Sequence, residues 1–178
     1  MVNEEFHNTL EQVHTSFLNA GSRAITTNSY GVVPGVGFDS IEDRSKYIGL
    51  AGKIARRAVD NHNTANGGDG FVFGSLGPLV ESYRADKIQE HQLGVSNYQV
   101  ACDALAPSVD AFLVETMSCV EESLQAMEAV SSRRGKNQKP MLISYTLDPK
   151  GNFRDGQELI KGLERLLDHC KEKRVERK

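Results

Sequence analysis

Four short apolar runs, each preceded and followed by a helical stripe, alternate along this 178-residue chain, and that alternation constrains its fold most. The runs are Ala24-Ile25-Thr26-Thr27-Asn28-Ser29-Tyr30, Gly70-Phe71-Val72-Phe73-Gly74, Ala111-Phe112-Leu113-Val114-Glu115-Thr116 and Met141-Leu142-Ile143-Ser144-Tyr145. They are short and rich in β-branched and aromatic residues, so they read as strands. Strands apolar throughout and separated by helices form a parallel sheet covered by helices.

The helices are read from periodicity. Phe6, Leu10, Val13 and Phe17 fall on one face of a first helix that Asn3 caps and Gly21 stops. After a loop at residues 31–39 with four glycines or prolines, Ser40 and Asp43 resemble a capping box. Ile41, Ile48, Ala51, Ala55, Ala58 and Val59 then form a stripe, and residues 61–69 read as a polar turn. A long polar insertion up to about Ser96 reads as a loop before a helix at residues 97–106. Ser118 and Glu121 form a second capping box, ahead of Val120, Leu124, Met127 and Val130. A basic, polar turn covers residues 131–139, and Asp155 with Glu158 opens a last helix with an apolar face of Leu159, Leu163, Leu166 and Cys170. The result is an α/β chain of four strands and five helices, with residues 1–178 as one domain. Periodicity alone leaves an open doubly wound sheet and part of a (β/α)8 barrel both standing, although a whole barrel of about 250 residues does not fit.

Composition removes several function classes. Hydrophobic residues make up 39% and charged residues 25%, which excludes a disordered chain. A net charge of −3 gives neither a nucleic-acid footprint nor a polybasic membrane surface, and the basic tail from Lys171 reads as a solvated helix end. No apolar run approaches the ~18 residues of a membrane span. The acidic, polar N-terminus is unlike a secretory signal, so the cytosol is the expected location. Cys102, Cys119 and Cys170 are too widely spaced for a disulfide framework or CxxC site, and each reads as a small buried hydrophobe.

In parallel α/β folds functional groups gather where strands end. Those places hold residues 26–30, then Gly74-Ser75-Leu76-Gly77-Pro78, Glu115-Thr116, and Ser144-Tyr145-Thr146. Glu115 is the most telling, because a carboxylate ending an apolar strand needs a cation or several donors. Three readings stand: an ion pair with lysine or arginine, a cap on the helix near Ser118, or a ligand's ammonium group. The histidines show no metal-ligand spacing; His7 and His14 lie beside the first helix's apolar face, and His91 falls in the long loop.

Read together, these segments resemble the homocysteine S-methyltransferase family. Val13-His14-Thr15-Ser16-Phe17-Leu18-Asn19-Ala20-Gly21 with Ile25-Thr26-Thr27-Asn28-Ser29-Tyr30 looks like its second βα region. Gly74-Ser75-Leu76-Gly77-Pro78 resembles its third-strand motif. Phe112-Leu113-Val114-Glu115-Thr116, with Glu121 and Glu122, resembles its fourth, and Ile143-Ser144 with Phe153-Arg154-Asp155-Gly156 its fifth.

The resemblance implies parallel (β/α) units of a TIM-type (β/α)8 barrel, about four strands of eight. It also implies methyl transfer from S-methylmethionine, S-adenosylmethionine or, in one branch, betaine to homocysteine, giving methionine. Zinc held by three cysteine thiolates would bind the homocysteine sulfur and lower its thiol pKa. By motif match Glu115 would receive the homocysteine ammonium group. Thr27 and Asn28 would line the pocket beside Ser75 and Thr116, and Gly74 and Gly77 would shape it. The family's opening Asp-Gly-Gly strand and its three zinc cysteines have no counterpart in these residues. The expectation is therefore a chain that does not transfer a methyl group alone, with a catalytically dead binding or assembly subunit as the alternative. Unpaired barrel edges lead us to expect self-association. An unrelated α/β enzyme using Glu115 as acid or base would require all four motif matches to be coincidental.

Overall fold

The computed structural model describes residues 3–132 and 139–175, with side chains through Lys171. Its elements alternate as expected: α1 (His7–Asn19), β1 (Ala24–Thr26), α2 (Ile41–Asn66), β2 (Phe71–Leu76), α3 (His91–Leu105), β3 (Ala111–Met117), α4 (Val120–Ser131), β4 (Met141–Tyr145) and α5 (Leu159–Val175). The four strands form one parallel sheet in the order β1-β2-β3-β4. This sequential order has no reversal point. Right-handed crossovers then place every connecting helix on the same side. A doubly wound sheet needs a reversal to cover its second face, so the alternation resolves to barrel-type βα units.

Register makes the one-sided layer visible in the residues. Ile25 aligns with Val72, Gly74 with Phe112 and Met141, and Leu76 with Val114 and Ile143. Ile25, Val72, Leu76, Phe112 and Val114 are buried with Val59, Tyr98 and Leu105 of the helices in the main core. Each such side chain contributes about 1.5–3 kcal/mol by leaving water. The alternate positions, including Phe71, Phe73, Leu113 and Leu142, face the other way, and Phe71 and Leu142 are exposed.

Local signals explain several boundaries. Asn3 accepts from the Glu5 amide and caps a short 3-10 turn leading into α1. Gly21, at φ 100°, closes α1: its amide donates to Leu18 O and the Ser22 amide to Phe17 O, both at 3.0 Å. Ser40 caps α2 by accepting from the Asp43 amide at 2.9 Å.

Other expectations are corrected. α2 runs through the supposed polar turn to Asn66, where Gly67 at φ 65° ends it; its last turns are simply solvated. α3 begins at His91, so the polar insertion is shorter, and His91 lies on a helix with Nε2 3.2 Å from Glu128 Oε2. The Ser118–Glu121 capping box does not form. Cys119 is the N-cap residue, Ser118 Oγ lies 3.4 Å from Thr146 Oγ1, and Glu121 pairs with Arg165 at 2.8 Å. α5 starts at Leu159, because Asp155 accepts from the Gln157 amide in a tight turn. The Phe6, Val13 and Phe17 side of α1 is exposed, while His14 and Leu18 are the buried residues of that helix. Cys102 and Cys119 are buried, but Cys170 is exposed beside the Met127 sulfur. Most of the basic turn lies outside the described residues, as do the side chains of the tail beyond Lys171. Among the described residues no helix is long and apolar enough to cross a membrane.

Candidate functional site

The C-terminal ends of β1, β2 and β3 carry a connected set of polar groups. The Ser75 amide donates to Thr27 Oγ1 at 3.0 Å, Ser29 Oγ donates to the Ser75 carbonyl at 3.0 Å, and the Thr27 and Ser29 hydroxyls lie 2.8 Å apart. Because the Ser29 proton is used on the carbonyl, Thr27 is the donor to Ser29, and the three groups close a ring. Thr27, Ser29 and Ser75 are all buried, so the ring satisfies groups that would be costly to leave unpaired.

One proton points out of this ring. Ser75 Oγ donates to Glu115 Oε1 at 2.6 Å, a charge-assisted bond that fixes one carboxylate oxygen. Glu115 is half-buried. Among the described residues no lysine, arginine or histidine forms an ion pair with it, and it does not cap α4. The two structural readings of this residue are thus unmet here.

Thr116 follows with φ 63°, a left-handed conformation that is rare for a β-branched side chain. The pairing of β3 with β4 shifts register between Val114 and Met117, so one extra residue is accommodated there. The strain of about 1–3 kcal/mol lies directly beside the carboxylate.

Asn28 is exposed and lines a groove next to Thr27. A Cβ on Gly74 would meet Leu105, Phe112 and Val109 at 3.2 Å, so this glycine admits the helix layer. A Cβ on Gly77 would stand 2.7 Å from the Tyr30 ring, so this one lets the β1 loop cross the β2 loop.

Further groups brace this rim, and of these the sequence motifs named only Glu122, without a structural role. Glu122, on α4, is 2% exposed and accepts from the Leu79 amide at 2.9 Å. The Tyr98 hydroxyl reaches both Glu122 Oε1 at 3.4 Å and the Gly77 carbonyl at 3.1 Å. Burial pushes the Glu122 carboxyl above the usual carboxylate range. Arg44 is also buried, donating to the Phe38 and Asp39 carbonyls and to Asn97 Oδ1 at 3.1 Å. Arg44 lies on a helix, where a charge in sequence reads as solvated surface.

The thiols do not converge. Cys102 is in the core on α3, Cys119 caps α4 with its thiol pushed up to about 11 by burial, and Cys170 lies on α5. No group of three or more metal-donor side chains forms among the described residues. The zinc that the resemblance implies finds no converging thiolate set among the described residues.

A one-sided parallel βα layer with polar groups gathered on the strand ends defines this chain as part of a barrel-type α/β protein. The profile of the homocysteine S-methyltransferase family matches residues 2–172, and the chain belongs to that family. It is 28% identical over 173 residues to the methionine synthase of Mycobacterium leprae (strain TN), covering 89% of this chain and 13% of that protein. The methionine synthase of Mycobacterium tuberculosis (strain ATCC 25618 / H37Rv) is likewise 28% identical over 166 residues, with 89% and 14% covered. Among solved structures, the metallated form of the homocysteine methyltransferase MmuM from Escherichia coli superposes with a TM-score of 0.79 at 22% identity, covering 89% of this chain and 58% of that one. Its apo form gives 0.71 at 21% identity, with 88% and 56% covered. The chain thus spans only part of the relatives it matches.

Proposed function

We propose that this chain supplies the amino-acid-binding side of a homocysteine S-methyltransferase site, with Glu115 accepting the homocysteine ammonium group. The observation that supports it is a Glu115 carboxylate with one oxygen held by Ser75 and no ion-pair partner among the described residues. Thr27 and Ser29 hold Ser75 in place, Thr116 turns the strand end, and Asn28 stands exposed at the rim. In the complete reaction the homocysteine thiolate attacks the methyl carbon of a sulfonium donor, S-methylmethionine or S-adenosylmethionine. A new C–S bond forms, the donor's C–S bond breaks with its electrons returning to sulfur, and methionine and a thioether leave.

Zinc, where the family uses it, would supply a thiolate at neutral pH. This chain is read as binding homocysteine without transferring a methyl group alone, and purified chain is expected to hold no stoichiometric zinc. The second reading, a binding or assembly subunit, is favoured by the open sheet edges.

Calorimetric titration with homocysteine tests the leading reading. Glu115→Gln should weaken binding by about ten-fold or more, since a hydrogen bond to a charged group is worth roughly 1.5–3 kcal/mol. 4-Mercaptobutyrate, which lacks the amino group, should not bind. Equal affinity of the variant, or no binding to the native chain at millimolar homocysteine, would overturn it.

A further inference from the structure

The loop between β2 and α3 is tied down at both ends. Near its start the Leu79 amide donates to Glu122, and the Ser82 and Tyr30 hydroxyls lie 2.6 Å apart. Near its end Asn97 Nδ2 donates to Gln89 Oε1 at 2.8 Å, and Gln125 Nε2 donates to the Gln89 carbonyl at 2.9 Å. Between these ties stands Tyr83, exposed and at φ 67°, a left-handed conformation rare for an aromatic residue. The guanidinium of Arg154, from the loop after β4, lies 5.0 Å from the centre of its ring. Since β3 runs between β2 and β4, this contact spans the exit of β3, the strand end that carries Glu115.

Arg154 is held from two further sides. Its amide donates to the Ser118 carbonyl at 3.0 Å, and its Nε donates to Thr146 Oγ1 at 3.2 Å. These partners follow β2, β3 and β4, so the side chain leans back over β3 rather than toward the free side of β4. Its charge is nonetheless uncompensated: among the described residues no carboxylate forms an ion pair with it. The acids around it are engaged elsewhere. Glu81 and Asp86, on either side of Tyr83, pair with Arg84 and Lys87, Glu121 pairs with Arg165, and Asp155 accepts from the Gln157 amide. An exposed arginine ordinarily keeps its rotamer freedom. One stacked on a ring and held at Nε presents its two terminal nitrogens in a set direction, the geometry that receives a carboxylate through two parallel hydrogen bonds.

We propose that Arg154 is the receptor for the α-carboxylate of an amino acid bound on this rim. Glu115 and Arg154 then read the two charges of an amino-acid ligand from one strand exit, an acid for the ammonium group and a cation for the carboxylate. Tyr83 is a positioning residue that acts through Arg154. The inference rests on the amino-acid reading given above. Homocysteine and the sulfonium donor S-methylmethionine both carry such a carboxylate, and the titrations below separate them.

Calorimetric titration of the 178-residue chain with homocysteine, with S-methylmethionine and with 3-mercaptopropylamine, which is homocysteine without its carboxylate, tests it. Arg154→Gln should weaken one of the two amino acids about ten-fold or more, the loss expected when a charged hydrogen-bond partner is removed. The amino acid that responds is the one whose carboxylate Arg154 holds. Native and variant chains should bind 3-mercaptopropylamine alike, since that ligand offers Arg154 nothing. Arg154→Lys should recover part of the affinity, and Tyr83→Leu should lower it for the same amino acid with unchanged circular dichroism. Affinity for both amino acids untouched by Arg154→Gln overturns the proposal, and if Glu115→Gln still weakens homocysteine, the reading of Glu115 survives. An equal loss for 3-mercaptopropylamine also overturns it, because the substitution would then act on the site's shape rather than on a carboxylate. A native chain that binds neither amino acid overturns both.

Discussion

Glu122 and Glu115 are two carboxylates that this fold treats in opposite ways. Glu122 holds the loop after β2 through the Leu79 amide and lies almost out of water, so burial raises its carboxyl pKa, and the amide and Tyr98 offset only part of the shift. A folded pKa above the unfolded one means that the native state binds its proton more tightly. The associated stability is fully present below the ordinary glutamate pKa and is lost as pH rises through the raised value. Glu122→Gln keeps an oxygen for Leu79 without a charge. It should therefore be at least as stable as the native chain at neutral pH, with the difference shrinking as pH falls into the ordinary carboxylate range. Glu122→Ala should instead lose about 1–3 kcal/mol by stranding the Leu79 amide. Thermal melts of the three proteins between pH 4 and 8 check this; a Gln variant less stable at every pH would sink it. Glu115, by contrast, was legible from sequence because an acid at the end of an apolar strand stands out. Nothing in sequence separates Glu122 from its neighbour Glu121, which is only half-buried.

At the scale of elements, glycines decide how closely the helices approach, and a sequence pattern does not show what they meet. Gly94 lies inside α3, and a Cβ there would stand 2.0 Å from Gln125 Oε1. Reading that segment as loop follows from this glycine and its polar neighbours, whereas the glycine in fact permits α3 to lie against α4. The strands were legible because apolar, β-branched runs are local features. The side of α1 that packs was not, because it depends on what lies across from the helix. Gly162 of α5 is a sharper case: a Cβ would meet the buried Phe153 ring at 2.2 Å and Val120 at 2.8 Å. In an exposed helix Gly→Ala gains up to about 1 kcal/mol. Here the clash is with a ring wedged against Tyr145 at 4.7 Å, so Gly162→Ala should destabilise by about 1–3 kcal/mol. Chemical denaturation measures the sign directly, and a gain in stability would show that α5 does not seat on Phe153 in solution.

Over the whole molecule, apolar surface is distributed unevenly. The helix-facing side of the sheet is buried, while the opposite face leaves Phe71 and Leu142 in water with Phe73 and Leu113 only half-covered. A contiguous apolar face of this kind is unusual on a monomeric protein and marks a surface that another surface covers. The chain should therefore enhance the fluorescence of an apolar reporter dye such as anilinonaphthalene sulfonate. Leu142→Lys removes an exposed apolar member of that face, on the edge strand β4. Since Leu142 is exposed in the single chain, dilute stability should change by no more than about 0.5 kcal/mol, while dye enhancement drops. Dye binding unaffected by Leu142→Lys would place the reporter elsewhere, on the α1 or α5 sides. A large loss of stability would mean that this face is already packed in the dilute chain, so both measurements bear on whether the sheet stands open.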